Sequence, residues 1–271
     1  MPGLDLLKIE AIDGDVRRRL GMIGDVFADF GDDEADCIAH GVAIDGSRYF
    51  VKHVVRPRGV QTQARAMAVH AAVRHPTLVP ILHDISGSSG RILVYPWIDG
   101  APLRESRRTG QLPVDEVLTA IDAVIDVHLA IEAAGFVSID LYDGNLLYTD
   151  RVHLIDVDEY EPSPFTLEEE RTRGSTRFMA PEEFRKGSTL DSPTMVFQLG
   201  RSAAVLLDPP HGSNLQRAPE VRHVIERATQ SAPGGRHQTV RDLADAWLRV
   251  RQQQRQQRQR QKPQGGAAVV R

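Results

Sequence analysis

The sequence predicts an α+β protein built as two lobes, a small one rich in strands followed by a larger one rich in helices. Two changes of texture along the chain predict it. From about 20 to 100 the chain carries short β-prone runs, "IAHGVAI", "SRYFVKHVV" and "RILVYPWI", separated by the turn signals "DGS" and "GSSG". From about 113 the apolar residues recur with helical spacing instead. The length agrees, because 271 residues, 41% hydrophobic and 26% charged, suffice for one large domain or two lobes.

Residues 1–20 mix acids and bases and are set apart as an N-terminal extension; they lack the basic start and apolar stretch of a signal peptide. The strand-rich lobe takes 21–98. Within it "QTQARAMAVHAAVRH" is made of good helix formers and is stopped by Pro76. The second lobe, 99–250, follows "IDGAPL" and opens with "PVDEVLTAIDAVIDVHLAIEAAG", where Leu118, Ile121, Ile125, Leu129 and Ala133 keep a helical stripe and Gly135 is placed to cap it. Two short strands are expected around 145 to 156, then a polar loop, then helices in "TMVFQLGRSAAVLL", "PEVRHVIERATQ" and "VRDLADAWLRVRQQQ". Residues 251–271 are a basic, Gln-rich tail. If the last helix continued, Arg251, Arg255, Arg258 and Lys262 would form one stripe able to meet an acidic partner; the alternative is a solvated, fraying extension.

Bulk properties exclude several classes. A formal charge of -4 and a pI near 6.2 argue against a protein that coats nucleic acid. No run approaches the ~18 apolar residues of a membrane helix, so no span is expected. Cys37 is alone, which rules out a disulfide within the chain and points to a reduced, cytoplasmic setting. The ten histidines lack zinc-ligand spacing, and Trp97 and Trp247 lie in stretches that read as packing.

The stretch "VSIDLYDGNLLY" places Asp140 and Asn145 five apart, and "VHLIDVDEY" brings Asp156 eleven residues later. Two oxygen ligands, Asn145 and Asp156, suit Mg²⁺, which binds few protein groups and otherwise takes water and phosphate oxygens. A third group beside them, Asp140, would orient an attacking hydroxyl and accept its proton. Together these are the parts of a phosphoryl-transfer site.

In this order and spacing the chain resembles the eukaryotic-type Ser/Thr protein kinases, found also in bacteria, over roughly residues 20 to 250. The resemblance implies a bilobal kinase fold, ATP and Mg²⁺ as cofactors, and a protein Ser/Thr substrate. "SIDLYDGN" stands for the catalytic loop H-R-D-L-x-x-x-N, making Asp140 the base-like residue and Asn145 a metal ligand. "DVD" stands for D-F-G and keeps Asp156 for the metal. Lys52 in "RYFVKHV" corresponds to the lysine that contacts the α- and β-phosphates. "LVYPWIDG" resembles the hinge, with Tyr95 as gatekeeper and the Pro96 carbonyl and Ile98 amide against adenine. "GSTRFMAPEEF" resembles the end of an activation segment, with Ser175 in place of a threonine and Ala180, Pro181 and Glu182 as A-P-E; Arg236 would form an ion pair with Glu182.

The departures are specific. Where a glycine-rich loop should cradle phosphates, "FGDDEADCIAHG" keeps Gly31 and crowds in Asp29, Asp32, Asp33, Glu34 and Asp36. Carboxylates there repel a triphosphate unless the loop turns outward or a metal intervenes. The helix glutamate that would pair with Lys52 is replaced at its position by Ala66; Gln63 is in reach of the lysine but carries no charge, leaving Asp156 or the nucleotide as counter-charge. The catalytic-loop His and Arg are Ser138 and Ile139, and the aspartate expected in the helix "TMVFQLG" is Met195. Without polar partners a buried acid would cost ~1–3 kcal/mol, so an apolar replacement fits, and no activation by loop phosphorylation is expected. Tyr142 replaces a lysine near the transferred group. Phe50 replaces the small residue facing adenine and would stack on the base or block the pocket. "RTRGSTR" brings Arg171, Arg173 and Arg177 into the activation segment, either as an anion site or as a solvated charge run. The expected activity is an atypical ATP- and Mg²⁺-dependent Ser/Thr kinase. The alternatives are a pseudokinase that serves as a binding or scaffold module, and a small-molecule kinase resembling the aminoglycoside phosphotransferases.

Overall fold

The structure, a computed structural model, describes residues 5–32, 34–108, 112–207 and 218–261. It is a mixed α+β protein with one large sheet. That sheet has six strands in the order β1-β5-β6-β4-β3-β2: β1 (Ala11–Ile12), β2 (Asp25–Phe30), β3 (Cys37–Ile44), β4 (Ser47–Val54), β5 (His83–Gly87) and β6 (Gly90–Pro96). β3 and β4 are joined through Asp45 and Gly46, whose φ values of 48° and 81° are those of a two-residue hairpin turn that matches the twist of the strands.

The segment 1–20, set apart in the sequence as an extension, packs onto this sheet through its described residues. β1 pairs parallel with β5, and α1 (Val16–Ile23), started by the Asp15 side chain accepting from the Arg18 amide, lays Val16 and Leu20 over Val42, Ile44, Val51, Ile85 and Val94. Each such aliphatic side chain contributes about 1.5–3 kcal/mol when fully buried.

α2 (Arg58–Ala72) starts and ends three residues before the stretch "QTQARAMAVHAAVRH" does. The chain is already extended at Val73, consistent with the aversion of the residues just before Pro76 to helical backbone. Its buried face, Ala66 and Val69, joins the core of the helical half. Beyond β6 come β7 (Ala101–Pro102), α3 (Leu103–Arg108), α4 (Val114–Ala133), β8 (Phe136–Val137), β9 (Leu146–Tyr148), β10 (Val152–Leu154), β11 (Glu161–Pro162), β12 (Phe165–Thr166), β13 (Thr189–Leu190), α5 (Ser192–Leu207), α6 (Pro219–Ala228) and α7 (Val240–Gln261). α4 buries Val117, Val124, Val127 and Ile131 besides Leu118, Ile121 and Ile125, whereas Ala133 is exposed, so it is a central helix with core on several sides. Trp247 of α7 packs here and donates its indole N–H to Asp122 at 2.6 Å.

Asp122 also meets Arg251 at 3.1 Å and Arg255 at 3.4 Å, so the basic stripe of α7 finds an acid within the chain itself. The Arg258 side chain and Lys262 lie outside the described residues. No helix among the described residues is long and apolar enough to cross a membrane.

The two halves are joined at the strand that carries the acidic site. Leu78 bridges Leu154, the Leu154 N–H donates to the Thr77 carbonyl at 2.7 Å, and the Val79 N–H donates to the Leu154 carbonyl at 3.0 Å. Ile155 and Asp156 are thereby delivered to the floor of the sheet.

Candidate functional site

Strand pleat sends residues two apart to the same face, so Phe50 and Lys52 of β4 look together into a cavity of about 490 Å³. Phe50 is registered opposite Tyr95 and Lys52 opposite Leu93. Pro96 and Ile98 line the same cavity, as do Leu147, Ile155, Asp156 and Asp158 from the helical half. Lys52, Phe50, Tyr95, Pro96 and Ile98 are thus brought together around one space. Its upper wall is aromatic: Phe30 lies 5.5 Å from Phe50 and 6.0 Å from Trp97, centroid to centroid, and Phe50 lies 6.2 Å from Tyr95. Gly41 makes the wall possible, since a Cβ there would lie 2.7 Å from the Phe27 ring that packs edge-on against Trp97. At the back, burial holds the His70 imidazole down to about 4 and raises the Tyr95 phenol far above its ordinary range, so both are neutral.

The Lys52 ammonium, its side chain only 17% exposed, bonds Asp156 Oδ1 at 2.9 Å and also Asp158 Oδ2. Burial alone would lower its pKa, but the two carboxylates outweigh it and raise the pKa well above the ordinary value, leaving a fixed cation. Burial, and then the neighbouring Asp156, push the Asp158 carboxyl upward, and the charge and hydrogen bond of Lys52 oppose that push. Gln63 donates from Nε2 to the Lys52 carbonyl at 3.2 Å and leaves the ammonium alone, while Ala66 is wholly buried.

Asp140 and Asp156 both have left-handed backbone, with φ of 62° and 58°. For a non-glycine residue such a conformation costs on the order of 1–3 kcal/mol, and it persists only where the surroundings enforce it. Here hydrogen bonds hold it. Asn145 donates from Nδ2 to the Asp140 carbonyl at 3.0 Å, and the Ile155 N–H donates to the Asn145 carbonyl at 2.9 Å. The turn that carries Asn145 needs Gly144, where a Cβ would lie 2.2 Å from the Tyr142 ring. The Asp140 carboxylate accepts the Ser175 N–H at 3.2 Å, and burial raises it to about 6.

For a hard divalent cation the available donors are Asn145 Oδ1, whose amide nitrogen is already used, and the second oxygen of the exposed Asp156. Among the described residues no cluster of three or more His, Cys, Asp or Glu side chains is placed to hold a metal. A donor set of one amide and one carboxylate fits Mg²⁺ completed by phosphate and water, and does not fit a closed protein cage.

Two acids of the stretch 29–36, Asp29 near the end of β2 and Asp36 just before β3, meet cations of the protein. Asp29 binds the Arg17 guanidinium through both oxygens and His40 at 2.7 Å; Asp36 binds Arg173 at 3.0 Å; and Arg56 donates to the Glu34 backbone carbonyl at 3.0 Å. Asp33 lies outside the described residues. Of the three arginines in "RTRGSTR", Arg173 is therefore paired and Arg177 stacks on Phe178, its guanidinium 5.5 Å from the ring centroid.

Ser138 leads to a polar cluster where the sequence suggested an apolar one. Ser138 donates to Gln198 Oε1 at 2.6 Å, Gln198 donates to Glu183 Oε1 at 3.0 Å, and Thr172 donates to the same oxygen at 3.0 Å. Met195 is buried, as an apolar substitute would be, but Gln198 one helical turn later keeps the network hydrogen-bonded. Next to it Glu182 and Arg236 form a buried ion pair at 2.6 Å. Asp158, Arg65 and Gln198 were not singled out from the sequence; the only signal was that Asp158 falls two residues after Asp156.

No protein-family model matches the chain, and no curated protein matches it.

Proposed function

We propose that this chain is an ATP- and Mg²⁺-dependent phosphotransferase with a bilobal protein-kinase-like fold, acting on Ser or Thr of a protein. One observation carries the reading: of the residues chosen for phosphoryl transfer, Lys52 and Asp156 form an ion pair in the wall of an apolar cavity, and Asn145, bonded to the Asp140 carbonyl, accepts from the N–H of Ile155, the residue next to Asp156. The cavity is of a size to take a purine, with Phe50 offering a face to stack on and the Pro96 and Ile98 backbone an edge to bond. Lys52 meets phosphate oxygens with a permanent positive charge. Asp140, ionised above about pH 6, orients the acceptor hydroxyl and takes its proton. Asn145 and Asp156 would hold Mg²⁺, which supplies charge neutralisation for the transferred group. Tyr142 and Gly174 bound the space beside Asp140 and shape what approaches it.

A second reading, a nucleotide-binding scaffold without transfer, draws on one feature: the Asp140 carboxylate is engaged by the Ser175 amide and pressed against Gly174. Calorimetric titration with Mg-ATP, followed by labelled-phosphate transfer to a basic carrier protein and to an aminoglycoside, separates the possibilities. Binding with transfer to protein supports the proposal. Transfer to the aminoglycoside alone redirects it to small molecules, binding without transfer supports the scaffold, and absence of binding rejects the nucleotide reading.

A further inference from the structure

A buried lysine needs an anion at hand, and in this protein α2 offers none: Ala66 packs in the core and Gln63 bonds the Lys52 backbone. The charge comes from the strand end beneath. Two acids reach Lys52, and they differ. Asp156 is 47% exposed by side chain and has one oxygen on the lysine, leaving the other for solvent or a cation. Asp158 is 6% exposed and directs its carboxylate at the lysine from the wall of the same cavity. Its backbone is pinned as well, because Arg65 of α2 donates from Nε to the Asp158 carbonyl at 2.9 Å and clasps Glu159 and Glu161 at 3.0 and 2.5 Å.

Resting on the phosphotransfer reading for its catalytic consequence, we propose that Asp158 is the positioning residue for Lys52. It anchors the ammonium in the cavity wall from a place fixed by the chain itself, with Arg65 rather than an acidic helix residue joining α2 to the arrangement. Asp156 is thereby released from acting as sole counter-ion and keeps an oxygen for the cation. The lysine's partner is then built into the segment that follows β10, and no movement of α2 is needed to supply it.

The chain has four lysines, Lys8, Lys52, Lys186 and Lys262, so acylation by acetic anhydride can be followed site by site with mass spectrometry. In the full-length protein, Asp158→Asn should raise the acetylation rate of Lys52 by about tenfold, because the ammonium loses its buried ion-pair partner and is freed to react, while Lys8 stays unchanged as internal reference. Asp158→Glu, which keeps the charge, should restore slow acetylation, and transfer kcat should fall in the Asn variant and recover in the Glu variant. Asp158→Ala serves as a second charge-free variant, and each is assayed below its own melting midpoint. Unchanged Lys52 reactivity in both charge-free variants overturns the inference even if the wild type transfers phosphate. A wild type that transfers nothing, but whose Lys52 reactivity responds as described, rejects the phosphotransfer reading and retains Asp158 as the anchor.

Discussion

Arg236 and Glu182, 54 residues apart, meet as a two-pronged pair, Nη1 to Oε1 at 2.6 Å and Nη2 to Oε2 at 2.9 Å, with both side chains buried. The remaining arginine hydrogens are satisfied by the carbonyls of Gln230, Ser231 and Pro193, and the guanidinium lies 4.8 Å from the centroid of the Phe197 ring. Removing one partner strands a buried charge. Arg236→Ala should therefore cost about 3–5 kcal/mol, measured by denaturant unfolding, far more than loss of an exposed pair such as Arg222 with Glu226.

The adjacent glutamates should respond to pH with opposite signs. For Glu183, burial raises the folded pKa to about 7 from 4.5, so the folded state holds a proton that the unfolded chain has lost. Its contribution is complete below pH 4.5 and disappears as pH rises through about 7. Glu182, pulled down by Arg236 in spite of burial, contributes above pH 4.5 and loses its share as pH falls through its lowered value. Glu183→Gln should remove the first slope, at the cost of one acceptor, because both Glu183 oxygens accept hydrogen bonds and the amide NH2 cannot. Melting curves of the two proteins between pH 5 and 8 check the sign.

Gly174, at φ 109°, touches the carboxylate that the proposed chemistry needs. A Cβ there would lie 2.3 Å from Asp140 Oδ1, in a backbone region that L residues avoid. Gly174→Ala should displace Asp140 and lower phosphate transfer by at least about tenfold, the size of effect expected of small misplacements at a reacting centre. Circular dichroism should show the fold retained.

Phe50→Ala tests the aromatic wall. Losing a stacking face worth about 0.5–1.5 kcal/mol should weaken Mg-ATP binding by about 2–10-fold in calorimetry. Tightened binding would mean that Phe50 obstructs the cavity.

The fold class was legible because strand-prone and helix-prone runs lie in separate halves of the chain, and periodicity reports such runs locally. The hairpin through Asp45 and Gly46 was legible for the same reason. Periodicity is silent on pairing at a distance. Nothing in the local pattern of 5–20 says that Leu6, Ile12 and Leu20 complete a core with Ile85 and Val94. Likewise Asp158 meets Lys52 across 106 positions, and its role emerges only when the segment after β10 is brought against the lysine of β4. Asp29 and Asp36 read as part of a repulsive block because their partners, Arg17, His40 and Arg173, lie on other elements. The Ser138 to Glu183 network was hidden by attention to Met195, since the residue that carries the bond, Gln198, is one turn further along the helix.

The central claim is tested most directly by transfer of labelled γ-phosphate from ATP in the presence of Mg²⁺, comparing wild type with Asp140→Ala and Asp156→Ala on the protein itself and on a basic carrier protein. The account predicts label with wild type and a fall of about 10²-fold or more in both variants, the contribution expected of a positioned base and of a cation ligand. Label that persists in both variants, or a wild type that neither takes up label nor melts higher with Mg-ATP, would contradict it.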